Sequence, residues 1–155
     1  MLKIIALGNT LRGDDGIGPV VLDRLGDMNI SGMTLLNLGS DAFHLLDHLL
    51  QPEPILLIDC ALMGLQPGGI VKFTVDNRQL NRLDQFMSLH GFSFCEIYHM
   101  ASRLGPVAPC RCIGIEPAVL EHGKQLSSVV QSRIPTVIQM VIEEMHLYEE
   151  KNNHY

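Results

Sequence analysis

Short apolar runs alternate with stretches of helical periodicity along this chain. The run Ile55-Leu56-Leu57-Ile58 is unbroken, which is typical of a strand covered on both faces. Runs of this kind predict strands at residues 2–7, 33–38, 54–59, 70–75 and 109–115. The periodic stretches predict helices at residues 17–25, 41–50, 80–89, 98–104 and 117–148, the last one kinked or broken near Pro135.

This alternation predicts a single α/β domain over residues 1–148. The expected architecture is a three-layer α/β/α sandwich with a mostly parallel twisted sheet, flavodoxin-like in general outline. Residues 149–155 are polar and are expected to form a frayed tail. In such sheets, ligands bind beyond the carboxyl ends of the strands, near the point where the strand order reverses.

The loop between the first strand and the first helix carries unusual chemistry. Asp14 and Asp15 follow one another and are flanked by glycines at positions 13 and 16. Two negative charges repel a phosphate, and the loop lacks the Lys-Ser/Thr pair and the glycine spacing of nucleotide-binding loops. The loop therefore suits a cation or an electrophile. The plainer alternative is that one of the two aspartates caps the helix that follows.

A third acid belongs to the same edge of the predicted sheet. Asp59 ends the apolar run of the third strand, and the carboxyl ends of parallel strands meet at one edge. Asp59 is therefore expected to lie close to the Asp14–Asp15 loop. Its plainer alternative is a turn or helix cap.

Composition limits the classes of binding partner and the cellular compartment that are expected for this chain. The chain has 155 residues and a net charge of −6, which argues against nucleic acid or an anionic membrane surface as its main partner. No apolar run approaches the ~20 residues of a membrane span, and no signal peptide is evident. The cysteines (Cys60, Cys95, Cys110 and Cys112) do not form a disulfide framework, so we expect a reduced, cytoplasmic protein, monomeric by default.

Four short blocks, in this order, carry a family resemblance: Gly8-Asn9 with Asp14-Asp15-Gly16-x-Gly18, Ile58-Asp59-Cys60-Ala61, Tyr98-His99-Met100, and Gly114-Ile115-Glu116-Pro117. Together they resemble the NiFe-hydrogenase maturation proteases. The resemblance implies an α/β/α sandwich and an endopeptidase. It also implies the substrate, which is the nickel-loaded precursor of a hydrogenase large subunit, from which a C-terminal peptide is removed.

The resemblance also assigns roles to residues. It implies metal ligands at Asp15, Asp59 and His99, with Asp15 and Asp59 as the catalytic pair and Asp14 as a neighbour or helix cap. Two carboxylates and an imidazole suit a first-row divalent ion. The nickel is expected to come with the precursor rather than to be held tightly by the free enzyme. It would serve in recognition and as a Lewis acid, or else a carboxylate would act as general base.

Several alternatives stay open at this point. His90, beside a glycine, is the main rival of His99. The pair His44 and His48 has helical metal-binding spacing but lacks a third ligand. Cys60, next to Asp59, is a conceivable nucleophile. In place of a protease, the chain could be a non-catalytic module that senses nickel on the same precursor, or a flavodoxin-like enzyme for a small ligand. The stretch 36–41 departs from the family pattern and affects which large subunit is recognised.

Overall fold

A computed structural model describes residues 1–76 and 94–154 of the chain. Its strands are β1 (Leu2–Ala6), β2 (Met33–Asn37), β3 (Ile55–Cys60), β4 (Ile70–Val75) and β5 (Cys110–Ile115). The helices of the described residues are α1 (Ile17–Asp27), α2 (Leu45–Leu49), α3 (Phe94–Leu104), α4 (Ser128–Gln131) and α5 (Ile134–Asn152). Short 3-10 turns at Gly13–Gly16 and Ala42–His44 precede α1 and α2. The predicted helix at 80–89 and His90 lie outside the described residues.

The five strands form one sheet in the order β2-β1-β3-β5-β4. All neighbouring strands are parallel except β4, which runs antiparallel to β5 at the edge. The chain leaves β1 toward β2 on one side and returns to β3 on the other. The strand order therefore reverses between β1 and β3, where a ligand site is expected.

Helices cover both faces of the sheet, which confirms the predicted three-layer sandwich. Along β1, Ile4 and Ala6 face a core shared with α1 and α5, whereas Ile5 faces a second core shared with α2 and α3. Side chains of a strand alternate between faces, so a strand buried on both sides is apolar at nearly every position, with Lys3 in β1 and Asp59 in β3 as the charged exceptions. This explains why β1 and β3 could be recognised from the sequence.

The segment after β5 differs from its prediction. Residues 117–127 are not helical, and the long helix α5 begins only at Ile134. Pro135 lies in the first turn of α5, where proline needs no backbone donor, and the helical stretch is broken just before it at residues 132–133, which confirms the predicted break. Ser127 begins α4 by accepting a hydrogen bond from the Val130 amide at 3.4 Å. The predicted helix 117–148 is therefore wrong over its first third.

The expected frayed tail is also largely helical. Helix α5 continues to Asn152, whose side chain donates to the Tyr148 carbonyl at 2.7 Å. The Tyr148 hydroxyl accepts a hydrogen bond from the amino terminus of Met1 at 3.1 Å, which joins the helix to the start of β1. These contacts hold residues 149–152 in the helix. Within the described ranges, no helix has the length and apolar character needed to cross a membrane.

Gly18 allows α1 to approach the centre of the sheet closely. A Cβ at this position would lie 2.8 Å from the Leu7 carbonyl oxygen and 2.9 Å from that of Ile58. Both atoms belong to the backbone and cannot move aside. Gly26, near the other end of the same helix, has only the Leu35 side chain near, at 3.9 Å.

We expect Gly18→Ala to lower the free energy of unfolding by about 1–3 kcal/mol, the range typical of an overpacked core. Gly26→Ala is the matched control and should leave the stability unchanged or raise it by up to about 1 kcal/mol. Urea unfolding of the two variants measures the difference. Equal stabilities would contradict the close approach of α1 at Gly18.

Candidate active site

The carboxyl ends of β1 and β3 bring two of the predicted site residues to one place. Ala6 pairs with Ile58, and the Leu7 amide donates to the Ile58 carbonyl at 3.2 Å. Asp59 therefore sits where β1 gives way to the acidic loop. Asp15 and Asp59 are both buried, and they lie beside the point of strand-order reversal.

The first residues of the loop hold Asp15 in place. Gly8 has a φ of +139°, and a Cβ there would lie 2.0 Å from the Asp15 carbonyl oxygen. The Asn9 amide donates to Oδ2 of Asp15 at 3.0 Å, while the Asn9 side chain accepts from the Leu11 amide at 2.9 Å. Gly8 and Asn9 thus account physically for the start of the motif: they permit and fix the position of Asp15.

Of the two roles expected for Asp14, the structure supports a charged neighbour of the site and not a cap of α1, and it adds an anchoring role. Its Oδ2 accepts hydrogen bonds from the Ala118 amide (2.8 Å), the Val119 amide (2.9 Å) and the Ser127 hydroxyl (2.8 Å), and its Oδ1 accepts from the Ser127 amide (2.7 Å). The residue preceding α1 is Gly16, and α1 has no side-chain cap. Asp14 therefore does not cap α1; it ties the segment 118–127 to the loop.

Glu116 is a buried acid at the same edge to which the sequence analysis gave no role. It follows β5 directly, and its Oε2 accepts a hydrogen bond from the Met63 amide at 2.6 Å. Its backbone holds the same turn, because its amide donates to Gly69 and its carbonyl accepts from Gly68. Its position directly after the apolar run of a buried strand, like that of Asp59 after Ile55–Ile58, is the signal that could have identified it.

The acids act together on Cys60, at the centre of this edge. Burial raises the pKa of the Cys60 thiol, and the negative charges of Asp59, Asp15, Asp14 and Glu116 raise that pKa further. These carboxylates therefore all contribute negative potential at one buried sulfur. A thiol with a raised pKa stays protonated near neutral pH, and the thiolate is the nucleophilic form. Cys60 is accordingly not poised as a nucleophile. All the cysteines of the chain are free and buried.

His99 does not join the aspartates in a ready-made site. It lies on the exposed side of α3, whose buried positions include Tyr98 and Ala101. Across residues 1–76 and 94–154, no group of three His, Cys, Asp or Glu residues is placed to hold a metal ion. The exposure of His99 weakens its assignment as third ligand, which stays a prediction. Its rival His90 lies outside the described residues.

Comparison with known proteins adds an independent line of evidence. The family model described as hydrogenase maturation protease matches residues 22–144. The hydrogenase expression/formation protein HupD of Rhodobacter capsulatus is 27% identical over 150 residues, which cover 94% of this chain and 71% of that protein.

Solved structures agree on the fold. The maturating endopeptidase HybD of E. coli superimposes with a TM-score of 0.82 at 17% identity, covering 95% of this chain and 93% of that one. The maturation protease HybD of Thermococcus kodakarensis superimposes with a TM-score of 0.72 at 27% identity, covering 93% and 98%. The acids described above therefore lie on a fold shared with these endopeptidases.

Proposed function

Because this chain belongs to the hydrogenase maturation protease family, we propose that it removes a C-terminal peptide from the nickel-loaded precursor of a NiFe-hydrogenase large subunit. One observation carries the proposal: the buried carboxylates of Asp15 and Asp59 lie together at the reversal point of the sheet. A peptidase of either metal-assisted or carboxylate type needs such groups. The buried free cysteines favour a reducing, cytoplasmic compartment for the reaction.

The negative charge of this edge explains how a metal-loaded substrate would be selected. Attraction between unit charges ~4 Å apart amounts to roughly 1 kcal/mol in water and roughly 4 kcal/mol near a protein surface. Carboxylate oxygens bind a divalent ion well, and two of them leave coordination positions for ligands that the precursor supplies. A precursor without nickel would present no cation to Asp15 and Asp59.

The same carboxylates offer two routes for hydrolysis. Nickel brought by the precursor would polarise the scissile carbonyl or activate water as a Lewis acid. Alternatively, Asp15 or Asp59 would take a proton from the attacking water as general base. In both routes the nickel belongs to the substrate, so we expect the purified enzyme to hold no stoichiometric metal. Elemental analysis of the purified protein checks this expectation.

The decisive experiment compares two forms of the precursor. The pure protein is mixed with nickel-loaded and with nickel-free large-subunit precursor, and intact masses are measured. Loss of a C-terminal peptide from the loaded form alone would support both the protease and its metal selectivity. Binding of the loaded precursor without cleavage would overturn the proposal in favour of a non-catalytic nickel-sensing module.

Two variants, His99→Ala and His90→Ala, test which histidine is the third metal ligand beside Asp15 and Asp59. Loss of a residue that only supports a metal ligand already costs 10–100-fold, so loss of the ligand itself should reduce processing of the loaded precursor by more than ~10-fold. The other variant should stay near the wild-type rate. A loss confined to His99→Ala would confirm its assignment, and a loss confined to His90→Ala would show that it is wrong.

A further inference from the structure

We propose that a groove beside the acidic loop binds the segment of the precursor next to the scissile bond, with Arg24 receiving a carboxylate of that segment. This inference rests on the proposed function and adds a specificity site to it. The groove has a volume of about 250 Å³. Thr10, Gly16, Val20 and Arg24 line one side, and Leu126 and Gln131 line the other.

The size of the groove selects the class of occupant. Sites for whole cofactors or drug-sized ligands usually measure about 300–1,000 Å³, so this groove is too small for most of them. It suits one or two amino-acid side chains. Its walls combine apolar Val20 and Leu126 with the hydroxyl of Thr10 and the amide of Gln131. Groups that both donate and accept hydrogen bonds match the polar backbone of an extended peptide.

The groove begins at the candidate active site. Gly16 belongs both to the groove wall and to the loop that carries Asp14 and Asp15. From Gly16 to Arg24 the helix rises by about 12 Å, at 1.5 Å per residue. An extended peptide advances about 3.3 Å per residue, so this length corresponds to about three or four residues. A carboxylate bound by Arg24 would therefore lie three or four residues from the scissile bond.

The charges at the two ends of the groove differ in sign. At the loop end, Gly13 and Gly16 line the groove and flank the buried aspartates in the chain, whereas the far end carries the exposed guanidinium of Arg24. In the part of the chain that the structure describes, Arg24 makes no ion pair or side-chain hydrogen bond. This cation is therefore available to a substrate. A peptide with nickel beside it at one end and a carboxylate at the other would bind in one direction only.

Charge reversal at Arg24 tests the site against a matched control. Arg24→Glu should raise the KM for nickel-loaded precursor by about 10-fold. This increase is near the upper end of what is expected when one exposed ion pair is lost and replaced by repulsion between like charges. The value of kcat should change less than about twofold, because Arg24 does not touch the reacting atoms. Lys151→Glu makes the same charge change at an exposed residue near the end of α5 and should leave both constants unchanged.

A rescue experiment separates recognition from a structural effect. Acidic residues near the cleavage site of the precursor are changed to Lys one at a time, and the terminal carboxylate is replaced by an amide in a further form. One of these changes should impair wild-type processing, and a Lys variant should restore the KM of Arg24→Glu. Rescue by a Lys variant would identify a side chain, and an effect of the amide alone would identify the terminus.

An unchanged KM in Arg24→Glu would overturn the groove assignment while wild-type cleavage still supported the protease. Failure of the wild-type protein to cleave its loaded cognate precursor would overturn the proposed function itself. The two failures are thus distinguishable.

Discussion

Asp59→Asn and Asp15→Asn should each abolish processing of the nickel-loaded precursor while the protein stays folded. The amide keeps the shape of the side chain but removes the charge that would hold the metal of the substrate or accept a proton. Loss of a general base alone lowers the rate by about 10²–10⁴-fold, and loss of a metal contact adds to this. We therefore expect no product in an assay that detects 1% of wild-type activity, a limit that corresponds to ~10²-fold.

Stability should not fall with activity in these variants. The carboxylates of Asp15 and Asp59 act on the same buried thiol as those of Asp14 and Glu116, so all of them carry like charge in one region. Neutralising one of them relieves repulsion, and an asparagine at position 15 keeps an oxygen that can accept the hydrogen bond from the Asn9 amide. The melting temperature should therefore stay close to that of the wild type. Loss of activity without loss of stability is expected where function requires an arrangement of side chains that is not the most stable one.

Intact-mass analysis of the processed precursor and thermal melting measure the two effects. Asp27→Asn, at the exposed end of α1, makes the same chemical change away from the site and should preserve both activity and stability. Wild-type processing by a soluble, folded Asp15→Asn or Asp59→Asn variant would show that the assignment of that residue is wrong.

Asp14→Ala should be the most destabilising of the aspartate substitutions. It removes the acceptor of four hydrogen bonds and leaves three backbone amides and one hydroxyl of segment 118–127 without it. Hydrogen bonds to a charged group contribute about 1.5–3 kcal/mol each, and they are not additive. We expect a loss of about 3–5 kcal/mol, which for a chain of this length lowers the melting temperature by about 10 °C.

Two further variants make this prediction specific. Ser127→Ala removes one of the four donors and the cap of α4, so it should cost only about 1–2 kcal/mol. Asp23→Ala changes an exposed residue of α1 and should stay within about 0.5 kcal/mol of the wild type. Calorimetry of the three variants gives the order of their stabilities. An Asp14→Ala variant as stable as Asp23→Ala would contradict the anchoring role of Asp14.

The sequence was sufficient to predict a strand where that strand is buried on both faces of the sheet. Residues Ile55–Ile58 of β3 are apolar on both faces of the sheet, so this run could be recognised without knowing its neighbours. The placement of Asp15 and Asp59 at one edge then followed from a general rule about parallel sheets. The same reasoning applied to Glu116 after β5 would have found that acid.

The sequence was insufficient where long-range hydrogen bonds decide the local structure. Val119, Leu120 and Leu126 give residues 117–127 a helix-like pattern, yet amides of this segment donate to Asp14 and not to a helix. The partners are more than a hundred positions apart, with separations of 104 to 113. Local patterns carry no information on such contacts. They also do not specify that β4 runs antiparallel to β5.

The distance along the chain between Asp14 and its partners also determines when their hydrogen bonds can form during synthesis on the ribosome. Chains are synthesised from the amino terminus, so the acidic loop emerges early and the segment 118–127 emerges near the end. Until Ala118 and Val119 are available, Asp14 has none of its four contacts, and it gains the last two only with Ser127. A nascent or truncated chain that ends before residue 118 therefore carries Asp15 and Asp59 without the contacts that anchor the acidic loop. Competence to cleave a precursor is thus reserved for a molecule whose own translation is nearly complete.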